Sequence, residues 1–190
     1  MDNESELSRG LRVQATRIEE DSSYSSQRHF NVGSALRAFH YTAGMTIAVL
    51  GGVGAYSLVV PGEVSATLGG LSALLAGAIA LAFVFLNPGE AALIHYQAGN
   101  DYLCLRKDAL YFLDVGIRDP GRGMEDKARS VEGLRNRAKE LDRVHGNLYT
   151  PRWAYVRARR DIQEGRTSHR EPLPTPAGSS ASPSVKEGHG

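Results

Sequence analysis

One cysteine, one tryptophan and a formal net charge of only +1 characterise this 190-residue chain. The lone Cys104 excludes an intrachain disulfide and suits a reducing compartment. So small a net charge gives no general attraction to nucleic acid, and none is expected as a partner. Gly51-Gly52-Val53-Gly54 lacks the Lys-Ser/Thr pair that a phosphate-binding loop requires. The histidines at 29, 40, 95, 145, 169 and 189 share no metal-site spacing with Cys104. His95 and Cys104 are nine residues apart, about 2.5 helical turns, and so point to opposite sides. No catalytic residue, cofactor or metal is expected, and the chain is read as a non-enzyme.

The absence with the largest consequence is that of charge in the middle. Of 22 Lys/Arg and 21 Asp/Glu, only Glu63 falls between residues 38 and 86. The uncharged runs Ala38–Gly62 and Val64–Leu86 each exceed the roughly 20 residues a helix needs to cross a bilayer core of about 30 Å. Inside lipid such a run must satisfy its backbone internally, which a helix does. The reading is an all-α membrane protein: a two-helix transmembrane hairpin, with spans of about 38–60 and 64–86, over a cytoplasmic helical bundle. Val59-Val60-Pro61-Gly62-Glu63 would form the turn. A signal peptide fits poorly, because 37 mostly polar residues precede the first run and its length exceeds the usual apolar centre of about 7–15 residues.

The turn carries no Lys or Arg, whereas Arg28, Arg37, Arg106 and Lys107 flank the other membrane ends. The positive-inside bias therefore places the protein in the cytoplasmic membrane, multi-pass, with both termini in the cytoplasm.

At about 100° per residue, each span shows two sides. Gly44, Ala48, Gly51 and Ala55 cluster on one side of the first span, and Ala66, Gly69, Ala73, Ala76 and Ala80 form a stripe on the second. Small stripes let helices approach closely, so these two are expected to pair within the hairpin. Thr42, Thr46, Val49, Val53 and Ser57 would then face outward, towards neighbouring chains or an aqueous path, and are the candidate pore-lining residues. Neither span has an ionisable residue at its centre, which disfavours proton-coupled transport. Two helices cannot enclose a lumen, so any channel must be a homo-oligomer.

Beyond the spans, Asn87-Pro88-Gly89-Glu90 offers an N-cap, a proline at the first helical position and a carboxylate in the first turn. Cytoplasmic helices are expected at about 88–114, 124–145 and 151–164, separated by Asp119-Pro120-Gly121-Arg122-Gly123 and Gly146-Asn147. Glu90, Asp101 and Asp108 read as solvated helix charges. The Arg157, Arg159, Arg160 cluster reads as a solvated face, with phosphate or lipid headgroups as the alternative. Residues 1–27 are polar and read as a flexible segment ahead of a 28–166 domain, with a weak helical pattern around Leu7 to Ile18, and Ser25 to Leu36 reads as a helical lead into the first span. The Pro/Ser/Gly-rich stretch 167–190 reads as a disordered tail.

Arg28-His29 before the first span, the tight turn, Asn87-Pro88-Gly89-Glu90-Ala91 and His95 through Ala98 occur in order. They are followed by Tyr102-Leu103-Cys104-Leu105-Arg106, Leu134-Arg135 through Leu141, and Tyr149-Thr150-Pro151-Arg152-Trp153-Ala154-Tyr155 through Ile162 and Gly165. Over about residues 25–166 this set resembles the SLATT family, two-transmembrane effector domains associated with bacterial nucleotide-signalling conflict systems. The resemblance implies an antiviral defence effector that oligomerises in the membrane, forms a pore or perturbs the bilayer, and answers to a separate nucleotide-linked sensor. The alternative is a non-conducting anchor or scaffold whose cytoplasmic helices recruit a partner.

Overall fold

All eight prolines of the chain lie at or beyond Pro61, so nothing in the first sixty residues interrupts a helical ladder. The computed structural model, which describes residues 2–60 and 62–164, accordingly begins with one unbroken helix, α1 (Asp2–Val59). Its 58 residues give a rod of about 87 Å at about 1.5 Å per residue. Four helices follow, namely α2 (Glu63–Leu86), α3 (Pro88–Tyr111), α4 (Met124–His145) and α5 (Arg152–Gln163). A π-helical turn, Phe112–Gly116, closes α3. No strand occurs among the described residues. Pro88 starts α3, Pro120 lies between α3 and α4, and Pro151 immediately precedes α5.

A single seam organises the packing. Along α1 the positions 11, 15, 18, 22, 26, 29, 33, 36, 40, 43, 47, 50, 54 and 57 are all buried or half-buried, in steps of three and four. That spacing is the repeat of helices packed side by side at small crossing angles. On the facing side, α2 presents Ser65, Gly69, Ser72, Ala76, Ile79 and Phe83, α3 presents Pro88, Ala92, His95, Gly99, Tyr102, Leu105 and Ala109, and the π-helical turn adds Phe112. The C-terminal part of α1 thus packs on α2, and the N-terminal part packs on α3, α4 and α5.

At the far end, Leu11, Ala15, Phe112, Ile117 and Val131 form a hydrophobic cluster, with Leu113, Met124, Ala128 and Leu134 packed around it. A half-buried Arg106–Glu19 ion pair (2.8 Å) joins α3 to α1 just above. Higher up, the Ser26 hydroxyl donates to the Gly99 carbonyl (2.9 Å), and the Tyr24 and Tyr155 rings stack 6.1 Å apart.

The polar segment expected to be flexible over 1–27 is instead helical from Asp2, with Leu11, Ala15, Ser22 and Ser26 buried. Its seam runs from the apolar Leu11, Ala15 and Ile18 to the polar Ser22 and Ser26, so the apolar spacing is short and breaks off before the first uncharged run. The tail expected at 167–190 lies outside the described residues. Asn87 takes the expected position before α3, with Pro88 and Glu90 in the first turn and its carbonyl accepting from the Ala91 N–H (3.2 Å), but its side chain does not cap a backbone N–H. It sits in the left-handed region (φ 40, ψ 56), its side chain donates to the Glu90 carboxylate, and its backbone N–H closes α2 on the Phe83 carbonyl (3.1 Å).

Two glycines give opposite tests of this packing. A Cβ on Gly99 would lie 2.8 Å from the Phe30 ring, whereas one on Gly133 would meet nothing within 4 Å. Gly133→Ala should therefore stabilise by about 0.5–1 kcal/mol, the usual helical gain. Gly99→Ala should reverse that sign and cost about 1–3 kcal/mol through overpacking. Thermal melts of the two variants followed by circular dichroism check the contrast; equal shifts would contradict the α1–α3 seam.

Candidate functional site

Large apolar side chains cover the outside of the α1–α2 pair. Met45, Val49 and Val53 on α1, and Leu71, Leu74, Leu81 and Phe85 on α2, are exposed, with Phe85 reaching 88%. Among the described residues one helical stretch, Ser65–Gly116, contains a segment long and apolar enough to cross a membrane. Only 17% of that segment's residues are buried, the opposite of what a core helix in a water-soluble protein shows.

The structure rotates the expected stripes. Gly44 and Gly51 face open space, and Ala48 and Ala55 are exposed. The side of α1 that meets α2 holds Ala43, Ile47, Leu50, Gly54 and Ser57, about 100° round the helix from the expected small stripe. On α2, Gly69 and Ala76 are buried in the contact, Ala80 is half-buried and Ala66 and Ala73 lie at its exposed margin. Gly69 is required there, because a Cβ would overlap the Ser57 side chain. The contact line therefore runs beside the expected stripe: Gly51 and Ala55 border a groove with Ala66, Gly69 and Ala73 of α2, whereas Gly44 meets nothing and Ala48 is exposed. Packing selected the line that interleaves Ile47 and Leu50 with small residues, since all-small contact would leave the surrounding apolar volume unfilled.

The five candidate lining residues do not share one surface. Ser57 is half-buried between the helices, its hydroxyl donating to the Gly54 carbonyl (2.7 Å), so it does not face outward. Val49 and Val53 are exposed. The Thr42 hydroxyl donates to the Ala38 carbonyl (3.0 Å) and that of Thr46 to the Thr42 carbonyl (2.9 Å), so each is satisfied within its own helix. Both threonines border an open groove of about 390 Å³ beside α2, formed with Phe39, Ala43, Ile79, Ala82, Phe83 and Leu86.

A polar cluster just below the apolar region was not foreseen. His29 is 1% exposed, and its Nδ1 lies 3.0 Å from His95 Nδ1. One Nδ1 must carry a proton and donate to the lone pair of the other, so the accepting ring is a neutral imidazole protonated on Nε2. The Tyr102 ring stacks on His29 at 5.8 Å between centroids, and its hydroxyl donates to Asp142 Oδ1 (2.8 Å). His145 Nε2 donates to Asp101 Oδ2 (2.9 Å), with its ring 6.5 Å from that of His29. Helices α1, α3 and α4 thus meet through polar side chains. Burial, reinforced by the positive charge of Arg28 and by His95 and His145, pushes His29 down to about 4. Burial also lowers His95. The Tyr102 phenol is raised by burial and by its bond to Asp142.

Sequence spacing could not reveal this group, because His29 and His95 are 66 residues apart. The usable signal was the seam register, in which positions 29, 95 and 102 all point inward. Among the described residues no set of three or more His, Cys, Asp or Glu is arranged to hold a metal ion. Comparison with protein-family models, curated proteins and solved structures finds no match.

The cluster makes the junction acid-sensitive. Above the ordinary histidine value of 6.5, His29 is neutral whether folded or unfolded and contributes no pH dependence. As pH falls from 6.5 towards 4 the unfolded chain takes up a proton that the folded one refuses, so stability declines across that window. Melting temperatures in detergent should drop over this range, and His29→Phe should flatten the decline; an unchanged slope in the variant would place the titrating group elsewhere.

Proposed function

We propose that this chain is a multi-pass protein of the cytoplasmic membrane, with α1 and α2 forming a transmembrane hairpin over residues 38–86 and both termini in the cytoplasm. Its α3–α5 helices then form a cytoplasmic bundle around the lower half of α1. The observation that carries the reading is the exposure of large aliphatic and aromatic side chains around the α1–α2 pair, in a region whose only charged residue is Glu63. Left in water, so large an apolar surface would drive aggregation; lipid is its natural solvent. Arg28, Arg37, Arg106 and Lys107 on one side only favour that sidedness.

Within this frame the chain acts as a homo-oligomeric effector that perturbs the bilayer on a signal from a separate sensor, in keeping with its resemblance to SLATT domains. The continuity of α1 supports the coupling, because one rigid rod joins the polar cluster at His29 to the apolar band above Ala38. The groove beside Thr42 and Thr46 offers the surface on which neighbouring chains would meet. A specific observation favours the non-conducting anchor as second reading. The Thr42, Thr46 and Ser57 hydroxyls are all bonded to their own helix and are not needed by water.

Reconstituted protein should resist alkaline carbonate extraction and release a trapped dye from liposomes when the activating signal is supplied by cytosolic extract. Thr42→Leu with Thr46→Leu should remove leakage while leaving insertion intact. Leakage that survives the double substitution excludes this groove as the conducting or assembling face, and absence of leakage from the inserted wild type with and without extract selects the anchor.

A further inference from the structure

We propose that α5 docks on the headgroups of an anionic bilayer through the side that carries Trp153, Val156, Arg152, Arg157 and Arg160. This rests on the membrane reading above and adds a second, electrostatic contact with the same membrane. The inner side of α5 is settled: Ala154, Ala158 and Asp161 are buried, and the Asn31 amide donates to the Ala154 carbonyl (3.4 Å). The opposite side is open, with Trp153 46% and Val156 58% exposed. Arginines 152, 157 and 160 join these two in lining a shallow surface groove. Arg157 makes only a long contact to Asp161 (3.9 Å), and neither Arg152 nor Arg160 has an ion-pair partner among the described residues. An aromatic ring and an aliphatic side chain among three arginines is the composition that bilayer headgroup regions select, whereas a protein-binding face would need no such excess of one sign.

The placement of α5 supports the same occupant. Asn31, against which α5 rests, lies seven residues before Ala38, about 10 Å along α1. The headgroup layer extends about 5–8 Å beyond the hydrocarbon core, within reach of long arginine side chains. Tyr155 fixes the roll of the helix. It stacks on Tyr24, which is farther from the apolar region than Asn31, so that flank of α5 faces away from the membrane. Trp153 and Arg157 leave α5 on the other flank, about 160–200° of helix turn from Tyr155. The Arg37 guanidinium over the Tyr41 ring (5.8 Å) marks the same boundary on α1.

Trp153 is the only tryptophan in the chain, so its fluorescence reports on this face without labelling. The full chain is reconstituted into phosphatidylcholine vesicles with or without phosphatidylglycerol, and insertion is verified first by carbonate resistance. In anionic vesicles the emission should shift to the blue and become protected from iodide, and in neutral vesicles it should not. Arg152→Gln, Arg157→Gln and Arg160→Gln together should reduce the docked-to-free ratio by about a hundredfold and abolish the difference. High salt should do the same to the unaltered protein, which keeps the test independent of whether the variant folds. Emission equal in both lipids for carbonate-resistant protein overturns the docking proposal alone. Protection that appears in both lipids and vanishes on dilution assigns the face to another protein copy and overturns it too. Release by carbonate would instead overturn the membrane reading.

Discussion

Close approach of α1 to the α2–α3 strand of chain is the constraint on which the rest of the molecule depends. In the upper half the contact uses Ala43, Gly54, Gly69, Ser72 and Ala76, and in the lower half Ala15, Ser22, Ser26, Ala98 and Gly99. Small residues serve both halves for different reasons. On the proposed membrane reading, lipid would surround the upper half; burying an apolar side chain there would gain nothing over leaving it in acyl chains, so dense backbone-to-backbone contact would supply the attraction. In the lower half the same closeness brings the backbone of α3 within hydrogen-bond reach of Ser26 and lets the small hydrophobic cluster around Leu11 close the far end.

Polar side chains at His29, His95 and Tyr102 occupy seam positions that an ordinary helical core would give to leucine or valine. Such a cluster weakens packing relative to an apolar core but penalises any sliding of one helix past another, because each shifted register strands an imidazole or a hydroxyl without its partner. A rod of about 87 Å with a repeating small-residue seam has many near-equivalent registers, differing by one heptad. The histidine pair, with the Tyr102 ring stacked on His29, singles one of them out directly beneath the apolar band, where a slip would carry charged residues into it, and the Tyr102–Asp142 bond ties α4 to the same point.

How much of this was readable differs by element. The apolar runs are visible because the absence of Asp, Glu, Lys and Arg between 38 and 86 needs no partner to be meaningful. The bounds of α4 follow from Gly123 and Gly146, which stand immediately outside Met124–His145. The face of α1 that meets α2 was not readable, because every side of residues 43–57 contains small residues and only the partner decides among them. The seam passes between the Gly44/Ala48/Gly51/Ala55 side and the Thr42/Thr46 side, a quarter turn from either. The flexible reading of residues 1–27 failed for a related reason: Ser22 and Ser26 are buried by proximity to another helix rather than by hydrophobicity.

Asn87 shows why one seam on α1 can serve two helices in succession. Had α2 continued without interruption, the residues after Phe83 facing α1 would have been 87, 90 and 94; the observed ones are 88, 92 and 95, one to two residues later, a phase difference of more than about 100°. A single residue in the left-handed region absorbs that phase difference, and asparagine tolerates the region better than other side-chain-bearing residues. His40 lies opposite the break, its ring 5.0 Å from that of Phe83 and in contact range of Gly89, where a Cβ would approach it to 3.1 Å. A glycine after Pro88 thus leaves room for the histidine that fills the gap. Without the kink, α3 would turn Glu90 and Ile94 towards α1 in place of Ala92 and His95, and the polar cluster could not form.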